Sequence, residues 1–111
     1  MLDLPADHLA EARQLLRIHL PGYRVCAFGS RVTGKARRFS DLDLAVMTTT
    51  PLDWRALEAL KDAFAESDLP FMVDMLDWAA TAETFRRAIA PQLVVVQETA
   101  DALSPTIEIV G

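Results

Sequence analysis

With one cysteine in 111 residues the chain cannot close an internal disulfide, and Cys26 sits in an apolar run that marks a small buried hydrophobe, so it carries no redox role. Long hydrophobic runs are absent. The uninterrupted apolar stretches, such as Leu93–Val96, fall far short of the roughly 20 residues needed to cross a bilayer. The start, Met1-Leu2-Asp3-Leu4-Pro5, lacks the basic region, apolar core and small-residue cleavage site of a secretory signal, and the expected location is the cytoplasm. Histidine is scarce too: His8 and His19 stand eleven apart with no further Cys or His cluster, which excludes a zinc site. What remains is an ordinary globular composition, 51% hydrophobic and 24% charged, enough for one domain and too little for two independent cores.

The net charge of −5 argues against general nucleic-acid binding, but the charge is unevenly placed. Residues 12–40 hold seven bases (Arg13, Arg17, Arg24, Arg31, Lys35, Arg37, Arg38) and no acid, whereas 41–111 hold thirteen acids and four bases. Positive charge is concentrated immediately before Asp41.

Apolar spacing predicts a helix over 7–20, from Leu9, Ala12, Leu16 and Leu20, ending before Pro21-Gly22. Strands follow at 23–28, which runs into Gly29-Ser30, and at 42–47. Thr50-Pro51-Leu52-Asp53 reads as a helix start with Trp54, Leu57, Leu60 and Phe64 as its buried stripe. A third strand at 71–76 with Met72 and Met75 buried, a helix at about 81–90 and a fourth strand at 93–96 complete the order. Strands alternating with helices predict a layered α+β domain, 1–111, around a mixed sheet of about four strands. The tail from Gln97 contains an alternating stretch, Ile107 to Val110, expected to be an edge strand or frayed.

The chemistry concentrates in Ser40-Asp41-Leu42-Asp43-Leu44. On a strand both carboxylates project from one face while Leu42, Leu44 and Val46 enter the core. Two like charges about 4 Å apart, at an effective dielectric near 20, repel by about 4 kcal/mol, so the pair asks for a cation between them. Hard oxygen donors suit Mg²⁺, which takes one or two carboxylates and completes its shell with water and phosphates. Most such pairs are surface acids, and alone this one is weak evidence. Gly29-Ser30 strengthens it, giving the spacing G-S-x10-D-x-D with bases between. Gly29 lets a backbone N–H approach an anion, Ser30 adds a hydroxyl, and a short helix starting there would turn its positive end to a phosphate. Arg31 is the nearest base for holding one. Asp74, inside the apolar run Phe71-Met72-Val73-Asp74-Met75-Leu76, is costly unless paired or metal-bound; Asp77, three residues on, points to the opposite face and reads as a cap or turn residue.

The runs Ala27-Phe28-Gly29-Ser30-Arg31-Val32-Thr33-Gly34, Ser40-Asp41-Leu42-Asp43-Leu44 and Val73-Asp74-Met75-Leu76-Asp77-Trp78 resemble the minimal nucleotidyltransferases of the DNA polymerase beta superfamily, across most of residues 9 to 96. The resemblance implies that Asp41 and Asp43 bind two Mg²⁺ ions, that Asp74 completes the metal site and helps activate an acceptor hydroxyl, and that Gly29 and Ser30, with Arg31 beside them, hold the phosphates of ATP or another nucleoside triphosphate. Nothing in these 111 residues reads as the helical acceptor-binding domain of larger members. The chain therefore resembles most the stand-alone subunits encoded beside a small all-helical protein, either a substrate-binding partner or a HEPN-type ribonuclease toxin; in the toxin pairs the nucleotidyltransferase is the antitoxin and adenylylates its partner. The expectation is a transferase of a nucleoside monophosphate, with a catalytically idle nucleotide-binding module that masks its helical partner as the alternative.

A rival motif fails on its own residues. Gly29-Ser-Arg-Val-Thr-Gly34-Lys35-Ala36 departs from a Walker A loop at its last position, where Ala36 supplies no hydroxyl for Mg²⁺, and the chain is small for the parallel sheet that carries such loops.

Overall fold

The computed structural model describes residues 2–99; the alternating stretch at 107–110 lies outside them. Helix α1 (Ala6–His19) leads into β1 (Val25–Phe28), followed by the short α2 (Ser30–Thr33), β2 (Leu42–Val46), α3 (Trp54–Ala65), β3 (Val73–Asp77), α4 (Glu83–Ile89) and β4 (Val94–Gln97). The four strands form one mixed sheet in the order β3-β2-β1-β4, with β1 antiparallel to β2 and β4 and β2 parallel to β3. The mixed α+β sheet is the one the alternation of elements predicts.

Period-two alternation divides the strand residues between two layers. Val25 and Ala27, Leu42, Leu44 and Val46, and Met75 pack on one face with Ala12 and Leu16 of α1 and Leu60 and Phe64 of α3. Phe28 and Ala45 belong to a smaller cluster on the other face, closed by Ile89 of α4 with Leu76, Trp78 and Leu93 around it. Cys26 is buried, and burial pushes its thiol pKa up, away from reactivity.

Three local expectations are corrected. Helix α3 begins at Trp54 rather than near Pro51: Asp53 is the cap, its carboxylate accepting the Arg55 N–H at 2.9 Å. Trp54, at the first helical position, stays 67% exposed and not in the buried stripe, with the Arg55 guanidinium 5.4 Å from its ring. Met72 is 69% exposed because β3 starts one residue later; only its backbone joins the sheet, the carbonyl accepting the Leu42 N–H at 2.9 Å.

Asp77 does more than terminate β3. Its carboxylate accepts from the hydroxyl of buried Thr48 and from the Leu52 N–H at 2.7 Å, and the Thr48 hydroxyl in turn accepts the Ala79 N–H at 3.0 Å. This network ties the β2–α3 connection to the end of β3. Among the described residues no helix is long and apolar enough to cross a membrane.

Candidate functional site

Register determines which acids meet. Asp43 is paired with Phe28 across β1 and with Asp74 across β3, so the two carboxylates sit side by side on adjacent parallel strands. Asp43 lies two residues from Ala45 and Asp74 two from Leu76, which places both on the α4 face. Asp41 precedes β2 by one residue, in phase with Asp43. The three acids therefore gather at the end of the sheet where β1 finishes and β2 and β3 begin.

Asp74 differs from expectation in one respect: it is exposed. Edge position accounts for this, because β3 is the last strand of the sheet on its side. Its link to the site is proximity to Asp43 and not desolvation of its own carboxylate. Asp43 is the partly buried member, and its pKa is raised, first by burial and then by the charges of Asp74 and Asp41. None of the three carboxylates has an ion-pair or hydrogen-bond partner among the described residues.

Gly29 forms the wall opposite. It has φ +83°, a left-handed conformation that favours glycine, and a Cβ placed there would overlap Asp43 Oδ2 and lie 3.3 Å from Asp43 Cγ. The Gly-Ser turn and Asp43 are thus in contact. Ser30 opens α2, which ends at Gly34. The Gly29 N–H donates to Gln92 Oε1 at 2.9 Å, a partner 63 residues away that no local pattern reveals.

Arg31 sits elsewhere than a phosphate ligand should. The residue is 4% exposed; Nε donates to the Ser40 carbonyl at 2.9 Å, and the terminal nitrogens donate to the carbonyls of Asp3 at 3.0 Å and Arg38 at 3.3 Å. The guanidinium also lies 4.4 Å from the centre of the Phe71 ring. Arg31 is committed to fastening the loop that delivers Ser40 and Asp41, and Ser40 tightens it by accepting the Arg37 N–H at 2.7 Å. Arg31→Ala leaves three carbonyls without their charged donor and should cost on the order of 3 kcal/mol. Arg31→Lys should recover little of this, since an ammonium cannot reproduce the planar fork. Urea midpoints of both variants measure it; a lysine variant of wild-type stability with weakened nucleotide affinity would restore the phosphate role.

Beside Asp74 a groove of about 730 Å³ runs between the end of α3 and the start of β3, with Phe39, Phe71 and Met72 on its walls. Among the described residues no three acidic, histidine or cysteine side chains already close around one point. The donor set nonetheless fits a divalent ion that arrives with phosphates. Mg²⁺ is held by one or two carboxylates and takes its remaining oxygens from water and substrate, and Asp43 is surrounded by like charge that a cation would neutralise.

The Gly-Ser turn thus lies against Asp43, with Asp41 just before the same strand and Asp74 on the neighbouring one. Residues 23–101 match the family described as Polymerase beta, Nucleotidyltransferase, and the chain belongs to that family. It is 53% identical over 97 residues, 87% of this chain and 85% of the other, to the probable protein adenylyltransferase MntA of Haemophilus influenzae. A solved toxin-antitoxin with AMP-PNP superposes with TM-score 0.68 at 26% identity, covering 88% of this chain and 77% of that one. A mutant form of the toxin-antitoxin MntA-HpeT gives TM-score 0.65 at 27% identity, covering 96% and 85%.

Proposed function

We propose that this chain is a Mg²⁺-dependent adenylyltransferase, the antitoxin of a pair, which transfers AMP from ATP to a hydroxyl of a HEPN-like helical partner in the cytoplasm. The observation that carries the reading is the group of three carboxylates, Asp41, Asp43 and Asp74, with no compensating charge of its own, built against a glycine turn. The naming of the relatives as a probable protein adenylyltransferase and as a toxin-antitoxin with AMP-PNP supports the nucleotide and the type of acceptor.

Asp41 and Asp43 would hold Mg²⁺, with Asp74 completing the set. Bound there, Mg²⁺ would supply charge neutralisation for the attacking and leaving oxygens of an in-line displacement. Gly29 and Ser30 form the turn that holds the β- and γ-phosphates, with Ser30 as the donor because the Gly29 N–H is taken by Gln92 Oε1, and Arg31 keeps the Ser40–Asp41 segment in place behind them. The acceptor oxygen bonds to the α-phosphorus while the bond from that phosphorus to the bridging oxygen breaks, releasing pyrophosphate. Asp74, exposed at the edge and beside the groove under α3, takes the hydroxyl proton in this reading. That groove is the approach for the acceptor segment.

The test is pyrophosphate release from ATP. It is expected only when Mg²⁺ and the helical protein are both present, and it should be lost in Asp74→Asn; release that ignores the helical protein contradicts the assignment of the acceptor.

A further inference from the structure

We infer, resting on the reading of Asp41 as a Mg²⁺ ligand, that Phe71 is a positioning residue for that acid, its ring steadying the Arg31 guanidinium and so the segment that carries Asp41. Asp41 precedes β2 by one residue, so its place depends on its two neighbours. Leu42 is held through the backbone, its N–H donating to the Met72 carbonyl at 2.9 Å. Ser40 is held by a side chain, its carbonyl accepting from Arg31 Nε at 2.9 Å. Both holds lead to the same short stretch ahead of β3, because Arg31 Cζ lies over the Phe71 ring, 4.4 Å from its centre.

Arg31 has a use for that ring. It is a buried cation with no carboxylate paired to it among the described residues. Its N–H groups point in the guanidinium plane, to the carbonyls of Asp3, Arg38 and Ser40, and the faces of that plane have nothing with which to hydrogen-bond. An aromatic face suits such a surface, since it attracts the cation and keeps water from it. A carboxylate in the same place would neutralise Arg31 but would add negative charge beside Ser40 and Asp41, and would compete for Mg²⁺. The ring is itself steadied from α1, where the His8 ring stands against it at 76° with centroids 5.7 Å apart. Phe71 also lines the groove beside Asp74, and the two roles predict different losses.

Three replacements separate them. Phe71→Leu keeps an apolar wall and removes the π face; Phe71→Tyr keeps both; pentafluorophenylalanine in place of Phe71 keeps the ring's shape and inverts its quadrupole. Amide hydrogen exchange at Leu42 reads the hold on Asp41 in the metal-free protein. Titration calorimetry with MgATP, and with ATP in EDTA, isolates the metal-dependent part of nucleotide binding. Exchange at Leu42 is expected to quicken about tenfold, and MgATP affinity to fall about tenfold, in Phe71→Leu and in the fluorinated protein, the worth of one desolvated cation–π contact. Phe71→Tyr should match the wild type, and affinity for metal-free ATP should not change. Wild-type exchange and MgATP affinity in Phe71→Leu, whatever its thermal midpoint, show that the ring only fills space and overturn the inference. A loss in Phe71→Leu that the fluorinated protein does not share overturns it too, as does a change confined to the KM for the helical partner, which would leave Phe71 to the groove alone. Wild-type affinity for ATP that ignores Mg²⁺ overturns the parent reading and this one with it, and only that outcome is seen without any variant.

Discussion

Replacing Asp43 by Asn should make the metal-free protein more stable and the enzyme inactive. Both effects come from the same crowding. Asp43 is held next to Asp74 by strand register and shares its face with Asp41, and partial burial together with these two charges raises its pKa. For an acid whose pKa is higher in the folded state, the folded protein retains a proton that the unfolded chain has already lost; stability is full at pH below the unfolded carboxylate value and declines as pH rises through the folded value. Asparagine cannot ionise, so the melting temperature of Asp43→Asn should exceed that of the wild type by several degrees at pH 7 and by less at pH 4. Adding Mg²⁺ with ATP should reverse the order, because a ligand that binds the folded state stabilises it and the variant has lost a metal ligand. Transfer should drop on the order of 10³-fold, since a catalytic ion contributes several kcal/mol to charge stabilisation. Melting curves at two pH values, with and without MgATP, measure all of this. A variant less stable than the wild type at pH 7 would show that Asp43 already has a compensating partner.

Gly29→Ala should be the most damaging alanine substitution among the described glycines. The backbone at φ +83° costs a non-glycine residue about 1–3 kcal/mol, and the new Cβ overlaps the Asp43 carboxylate. The side chain that must yield is the one expected to hold metal. Displacements near 1 Å at a reacting centre cost on the order of 10²-fold in rate, so activity should fall more than the loss of stability explains. The control is Gly34→Ala: Gly34 also has positive φ, +82°, but a Cβ there meets nothing within 4 Å. That variant should lose stability by the backbone term and keep its affinity for MgATP. Equal effects of the two substitutions on nucleotide affinity would mean that Gly29 matters only for its backbone.

Much of this site was legible because its parts are local. Gly29-Ser30 at a strand end and Asp41-x-Asp43 at a strand start are short patterns whose geometry follows from period-two alternation, and Leu42, Leu44 and Val46 are buried as that alternation requires. The apolar run around Asp74 predicts a buried carboxylate, yet the residue is exposed on an edge strand; strand order, which sets edge and centre, has no local signature. Arg31 lies next to the turn in sequence, and adjacency suggested a phosphate ligand, but its side chain turns to carbonyls at positions 3, 38 and 40. Gln92 was invisible for the opposite reason: nothing near it in the chain marks it, and only closure of β4 against β1 brings it to Gly29. Trp54 and Met72 each stand at an element boundary. An apolar residue at the first position of a helix, or just before a strand, fits the pattern of the element without sharing its burial.

The most direct test of the central claim is the intact mass of the helical partner after incubation with this chain, ATP and Mg²⁺, beside an Asp41→Asn, Asp43→Asn control. A mass gain in steps of one AMP, absent from the control, is the expected result and identifies the acceptor at the same time. No gain in a stable complex of the two proteins would contradict it, and would make this chain a nucleotide-binding module that masks its partner without modifying it.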